Sequence, residues 1–368
     1  MAPATSSPPA APPVDAPVPG QGESRPRPPS WLRALLISLA VVAAGFALGA
    51  AWYKYERAAS IQPPVVKRTT DGWHITAQQQ REFSGLGLNG TRLLWQNGAS
   101  IEYLDLASGR LRLLGPGSGM RTTWDPAVGD RYSVWFEAER MESLAARAVA
   151  YDTRSGRRWT LAEIGSVRSY PAISGDVAVW CSAAALGSPA INGARVGNGA
   201  TFEVGPGDGA PVVFGGLVVW AASWKGPFYA HELASGTSRP LVAGLTNGRL
   251  TGLALAGRTL VWGQSPEAPG SAAGVVATVD IDGGETTTLA SGVSGLSGPA
   301  YDGRTVVWGE RTASGDRVIG RRLDGGPAFV VAATDGTVKE VAVSGDTVAW
   351  IAATGASGYE LIVMRLPR

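Results

Sequence analysis

Ala300-Tyr-Asp-Gly-Arg-Thr-Val-Val-Trp308 joins an aspartate–glycine turn to a run of β-formers that stops on tryptophan. The same order returns along the chain. The strand-ending tryptophans are Trp95, Trp135, Trp180, Trp220, Trp262, Trp308 and Trp350, separated by 40, 45, 40, 42, 46 and 42 residues. Five or six positions before each stands a glycine: Gly90, Gly129, Gly175, Gly215, Gly257, Gly303 and Gly345. Val177-Ala-Val-Trp180, Leu217-Val-Val-Trp220 and Thr305-Val-Val-Trp308 have the β-branched and aromatic make-up of strands.

A second turn follows each of the first six tryptophans, as in Tyr103-Leu-Asp-Leu-Ala-Ser-Gly109, His231-Glu-Leu-Ala-Ser-Gly236 and Arg322-Leu-Asp-Gly-Gly326. Each unit then holds four short antiparallel strands: one before the first glycine, one ending at tryptophan, one ending at the second turn and one after it. Four strands per repeat of about 40–45 residues describe a β-propeller blade. Helical repeats would need a period of 3.6, which is absent. The expected fold class is all-β: a single seven-bladed β-propeller over residues 71–368.

Phase predicts how the ring closes. Trp73-His-Ile-Thr-Ala77 follows a turn at Thr70-Asp-Gly72 and has no blade of its own. The seventh repeat stops near Val363-Met-Arg-Leu-Pro367 without its fourth strand. Residues 71–82 are therefore expected to supply the closing strand of the seventh blade. Closure of this kind removes the exposed edges an open stack would carry.

The N-terminal third has a different composition. Residues 1–30 are rich in Pro, Ala and Ser and carry no apolar period, which predicts a disordered or polyproline-like tail. A ligand for a proline-reading domain is the sharper alternative. Ala34 to Tyr53 is a run without charge, ALLISLAVVAAGFALGAAWY, long enough as a helix to span a bilayer core of roughly 30 Å. Trp31, Trp52 and Tyr53 stand where interfacial aromatics belong. Residues 31–53 are read as a transmembrane signal-anchor, with a signal peptide cleaved near Gly49-Ala50-Ala51 as the rival. The reading gives a single-pass protein of the cytoplasmic membrane with its C-terminal domain extracytoplasmic. Residues 54–70, with Pro63-Pro64, are read as a linker.

The formal net charge of +2 gives no case for nucleic acid. Cys181 is the only cysteine, so no intramolecular disulfide forms, and it is read as a buried small side chain. The GC-rich flavour of the composition suggests a bacterial source.

The pattern G-x-x-V-V-W followed by Y-x-L-x-[ST]-G resembles the TolB-like propeller repeats of bacterial and archaeal cell-surface proteins. Gly298 to Trp308, continued by Arg322-Leu-Asp-Gly-Gly326, carries the resemblance most plainly, over about residues 70–368. The full Ser-Pro-Asp-Gly turn of the better-known form is missing. The resemblance implies an exported propeller used for binding or scaffolding and points to no particular ligand.

Repeated residues account for folding, so function is sought where repeats differ. The segment from tryptophan to second turn grows from 14 residues after Trp95 to 22 after Trp262. Those loops share one propeller face with the connections between blades, and variable loops gathered on one face mark a binding face. Candidate residues for a protein or envelope ligand are Trp124, Asp125, Tyr170, Trp224, Lys225, Phe228, Tyr229, Glu310 and Arg311. Phe136 to Glu142 is read as a charged extension, and Asp316-Arg317 adds charge to the sixth repeat. Aromatics with arginine are the side chains that dominate interfaces. The rival class is an enzyme, a funnel-type lyase or hydrolase of envelope glycans, with Asp125, Tyr170 and Glu340 converging on the central channel.

Catalysis by a Ser/Cys–His pair finds no support. Only His74 and His231 exist, and no G-x-S-x-G elbow occurs. The chain ends with its seventh repeat, leaving no length for a hydrolase domain in cis. Asp280-Ile-Asp-Gly-Gly-Glu285 lacks the spaced oxygens of a calcium loop and fills a hairpin-turn slot. No catalytic residue, metal or cofactor is assigned.

Overall fold

A computed structural model describes residues 63–77, 82–115, 122–139, 146–183, 187–241, 248–266, 274–355 and 358–367. The Pro-rich tail, the apolar run of residues 31–53 and most of the linker lie outside them. Within residues 54–368, which form one compact unit, all regular structure among the described residues is β-strand.

The strands follow the repeats as four-stranded antiparallel meanders. The first is Phe83–Asn89, Arg92–Asn97, Ser100–Asp105 and Arg110–Leu113. The second is Thr122–Val128, Tyr132–Ala138, Ala146–Asp152 and Arg158–Ile164. The third runs from Ala172–Ser174 through Val177–Ala183 and Ala190–Arg195 to Thr201–Pro206, with Ser166–Val167 added beside Val177–Ala183. The fourth is Val212–Phe214, Leu217–Ala221, Phe228–Glu232 and Thr237–Pro240. The fifth and sixth share one long strand, Thr287–Tyr301, which is the outermost of one and the innermost of the other. The fifth opens with Arg249–Ala256, and the sixth ends with Phe329–Thr334.

The seventh meander takes its fourth strand from the other end of the chain. Thr337–Ser344, Thr347–Thr354 and Gly358–Arg365 are followed by Gly72–Thr76, in register with Trp73 opposite Val363 and Ile75 opposite Leu361. The linker assignment is corrected here: Val65–Arg68 is a strand that pairs with Gly72–Thr76, Val66 opposite Ile75. Its charged and exposed make-up hides a strand that only the turn at Thr69–Gly72 reveals, where the Thr69 N–H donates to the Gly72 carbonyl at 2.9 Å.

The glycine-to-tryptophan unit has a clear physical role. Gly90, Gly175, Gly215, Gly257 and Gly345 have φ of 58–60°, the left-handed conformation a tight turn needs and other residues resist. The tryptophans are 0–3% exposed and pack onto the meander before their own. Trp135 lies with Leu94 and Ile101, Trp180 with Phe136, Trp262 with Phe228, and Trp350 with Val307. Trp95 closes the series by packing against Ala349, Ile351 and Val363 of the last meander. A buried indole removes about 150–250 Å² from water, roughly 4–6 kcal/mol of gross stabilisation.

The first strands of the meanders touch in chain order, and Thr337–Ser344 touches Phe83–Asn89, so the contacts return to their start. Turn-to-turn hydrogen bonds run the same way. Gly215 N–H donates to Ser174 Oγ at 3.0 Å, and Gly345 N–H to Asp302 Oδ2 at 2.8 Å. Gly90 N–H donates across the seam to Ser344 Oγ at 2.9 Å.

Candidate functional site

The first strands of all these meanders border one cavity of about 360 Å³. Most of its wall is apolar: Val128, Ile173, Val213, Leu255, Val341 and their neighbours. The polar groups gather where the strands begin. These are Asp125, Tyr170 and Glu340, from the second, third and seventh meanders. In an antiparallel meander the first strand begins at the end where the second finishes. This mouth therefore shares its face with the loops between second and third strands.

β-bulges put the side chains there. Pairing along Thr122–Val128 skips from Trp124 to Ala127, along Phe83–Asn89 from Ser84 to Gly87, and along Thr337–Ser344 from Val338 to Glu340. A bulge bends a strand and re-aims its side chains. Gly85 and Asp125 occupy equivalent bulge positions, with φ of 61° and 50°. Among the described residues, Asp125 is the non-glycine residue with positive φ. Holding a branched side chain there costs on the order of 1–2 kcal/mol, and such strain collects at functional sites. The Asp125 N–H donates to Gln96 Oε1 at 3.3 Å, which helps fix the bulge.

Glu340 grips the neighbouring bulge. Its Oε1 accepts the Gly85 N–H at 2.9 Å and its Oε2 accepts the Leu86 N–H at 2.7 Å. A Cβ on Gly85 would stand 2.7 Å from Asp125 Cα and 2.7 Å from Pro126 Cδ, so the two bulges are in contact. Glu340, Gly85 and Asp125 thus form a continuous patch over three adjacent first strands.

Burial drives the electrostatics. Desolvation, then the nearby Glu340 charge, pushes the Asp125 carboxyl up to about 7. Desolvation also raises Glu340, opposed by the hydrogen bonds from Leu86 and Gly85. Tyr170 is raised by desolvation and then by Asp125 and Glu340. A carboxyl near 7 can hold or release a proton at neutral pH.

Other sequence candidates separate. Trp124 packs with the core between the second and third meanders and does not line the cavity. Phe228 is 0% exposed and meets Trp262 edge-on, centroids 5.6 Å apart. It is corrected from exposed contact to core, because strand alternation turns it inward. Tyr229 is half-buried and stacks on Trp220 at 5.6 Å. Trp224 is 47% exposed, with Lys225 Nζ 4.4 Å from its ring centroid. Glu310 pairs with Arg317. Arg311 Nε lies 3.2 Å from Asp316 Oδ1, and buried Asp316 accepts the Val338 N–H at 2.9 Å through Oδ2. Those charges tie a hairpin to the next meander. Phe136 and Glu137 are buried rather than part of an extension, with Glu137 bound by Arg158 and Trp135 Nε1.

Asp280 and Asp282 serve their turn: Asp280 Oδ1 accepts the Asp282 N–H at 2.9 Å, and Asp282 pairs with Arg258. Cys181 is buried, and desolvation pushes its thiol up to about 12. Sequence alone missed that Gly85 belongs to the site. The Phe-Ser-Gly-Leu-Gly run Phe83–Gly87 was a usable signal, since a glycine inside a strand marks a bulge or a close backbone approach.

No family model matches the chain, and no curated protein matches it either. Solved structures do. An oligogalacturonate lyase from Vibrio parahaemolyticus superposes with a TM-score of 0.61 at 10% identity, over 82% of this chain and 97% of that one. The β-propeller domain of the Trilobed protease from Pyrococcus furiosus gives 0.60 at 11% identity, over 77% and 95%. TolB from Acinetobacter baumannii gives 0.48 at 14% identity, over 76% and 81%. At such identities the likeness shows the fold: this is a β-propeller protein with TolB among its structural neighbours.

Proposed function

We propose that the protein is a membrane-anchored extracytoplasmic propeller of seven blades that binds a protein or envelope ligand at the mouth of its central cavity. The observation that carries this is the convergence of Asp125, Tyr170 and Glu340 at one end of an otherwise apolar cavity. A concave, largely apolar site with a few converging polar groups is the usual form of a ligand pocket. Tyr170 is 60% exposed and Trp224 47% exposed, and both lie on the face that carries the mouth. The charge-free run Ala34 to Tyr53 supports the anchor, and the TolB-like repeats support an envelope setting.

The test is site-specific photo-crosslinking of the full-length protein in intact cells. A photoreactive residue at Tyr170 or Trp224 is expected to trap an adduct, and one at Ser108, on the opposite turn, is not. Adducts from Ser108 alone would place the binding face at the other end. Protease added to spheroplasts is expected to remove a C-terminal tag, and a protected tag would overturn the orientation.

One observation favours a second reading, catalysis on envelope glycans. Asp125, near 7 and next to Glu340 and Tyr170, has the proton-transfer chemistry a lyase or hydrolase needs. The two carboxylates would repel a polyanionic chain, so neutral or amino-sugar glycans are the fitting substrates. Turnover of such fragments that falls at least a hundredfold in Asp125→Asn would support it. Equal turnover by the variant would end it.

A further inference from the structure

The cavity has a one-sided charge. Its lining carries the Asp125 and Glu340 carboxylates and, among the described residues, no lysine, arginine or histidine. Glu340 is engaged by two backbone N–H groups, which leaves a carboxylate with further lone pairs. The Asp125 carboxylate receives no hydrogen bond or ion pair from any described residue, and the charge acting on it is that of Glu340. Two like charges are therefore held together, one of them on a strained backbone, without a counter-ion from the protein. The remaining first strands face them with Val212, Leu253 and Pro299, which offer no hydrogen-bonding side chain.

We propose that the cavity binds an alkylammonium group, the cation between Asp125 and Glu340 and its aliphatic stem against the Val212, Leu253 and Pro299 side. This rests on the reading of the mouth as the binding site and names the chemistry it selects. An ammonium has three donors on a narrow stem, which suits two carboxylates at the entrance of an apolar channel. Tyr170, exposed beside the acids, adds an aromatic face for the cation. A carboxylate ligand would meet repulsion, and an alcohol would leave the two charges uncompensated. A free amine and a lysine side chain of a partner protein present this same chemistry.

The experiment is titration calorimetry on the full-length protein in detergent micelles, at pH 8, with n-hexylamine, 1-hexanol and hexanoate. Hexylamine is expected to bind saturably, and the alcohol and acid at least tenfold more weakly. Asp125→Asn is expected to weaken hexylamine at least tenfold while its thermal unfolding stays cooperative, and Tyr170→Ala to weaken it several-fold. Equal binding of hexylamine and hexanol, or hexylamine binding unchanged in Asp125→Asn, would overturn the proposal. A short lysine peptide and its Nε-acetylated form separate the sources. Tighter binding of the peptide than of hexylamine, lost on acetylation, assigns a protein partner, and weaker binding assigns a free amine. If the amines fail while crosslinking from Tyr170 succeeds, the ligand class falls and the mouth stands. If both fail, the mouth falls as well.

Discussion

Glu340 holds Gly85 by a hydrogen bond of 2.9 Å from the Gly85 N–H to Oε1, although 255 residues separate them in the chain. The same carboxylate takes the Leu86 N–H at 2.7 Å. It thereby satisfies two backbone donors of the first meander from the seventh. Replacing Glu340 with Ala strands both, at about 1–3 kcal/mol for each unsatisfied buried group. Urea unfolding of Glu340→Ala is expected to show a loss of about 2–5 kcal/mol, with Glu340→Gln intermediate. A loss below about 0.5 kcal/mol would mean that water replaces the clasp.

Asp125 makes stability depend on pH with a definite sign. Its folded-state value, about 7, lies above its ordinary 3.8. The folded protein therefore holds the proton more tightly than the unfolded chain. Stability falls as pH rises from about 4 to about 7, and the penalty is full above that. Asp125→Asn removes it, so the variant is expected to melt a few degrees above the parent at pH 8 and level with it at pH 4. Equal melting temperatures at both pH values would show that the carboxyl is not raised.

Gly72 faces Val363 so closely that a Cβ there would lie 1.9 Å from the Val363 carbonyl oxygen. That is backbone against backbone, and neither strand can yield without breaking the register of Gly72 opposite Met364. Gly72→Ala is expected to loosen the pairing of Gly72–Thr76 with Gly358–Arg365. Hydrogen exchange should show faster exchange in both strands while Tyr132–Ala138 stays protected.

Phe228 and Trp224 are four residues apart and should respond oppositely. Phe228→Ala empties a fully buried site and is expected to cost about 3–5 kcal/mol in chemical denaturation. Trp224→Ala removes a side chain that is 47% exposed and should cost under about 1 kcal/mol. Loss of binding in Trp224→Ala is then attributable to the surface, whereas the same loss in Phe228→Ala is not.

Cys181 is buried with its thiol pushed up to about 12, and its Sγ lies 3.2 Å from the Gly207 carbonyl oxygen. The nucleophilic thiolate is scarce at neutral pH. A thiol reagent at pH 8 is expected to leave the native protein unmodified and to label it fully in denaturant. Rapid native labelling would contradict this burial.

The repeat was legible because each interface needs the same parts: a glycine for the turn and an indole to fill the gap to the preceding sheet. Trp95 and Trp350 stand far apart in the sequence yet do the same job at adjacent interfaces. Asp125 and Trp124 show where that logic stops. Strict alternation along a strand leaves open which of two neighbours faces the channel, and the bulge between Trp124 and Ala127 decides it. Glu310 and Arg311 look like free surface charge in sequence because Arg317 and Asp316 reach them only once the hairpin forms. Val65–Arg68 could not be read as a strand, since its partner is set by a turn and its side chains bury little.

Strand Gly72–Thr76 is made early, and its partner Gly358–Arg365 about 290 residues later. At synthesis rates of about 5–20 residues per second the wait is roughly 15–60 s. Throughout that interval Trp73 and Ile75, which end among Leu361 and Val363, have nothing native to cover them. The nascent chain carries a sticky, unpaired segment beside its apolar N-terminal run until the very end of synthesis. Whatever shields that segment in the cell has to let go at the moment the last strand arrives.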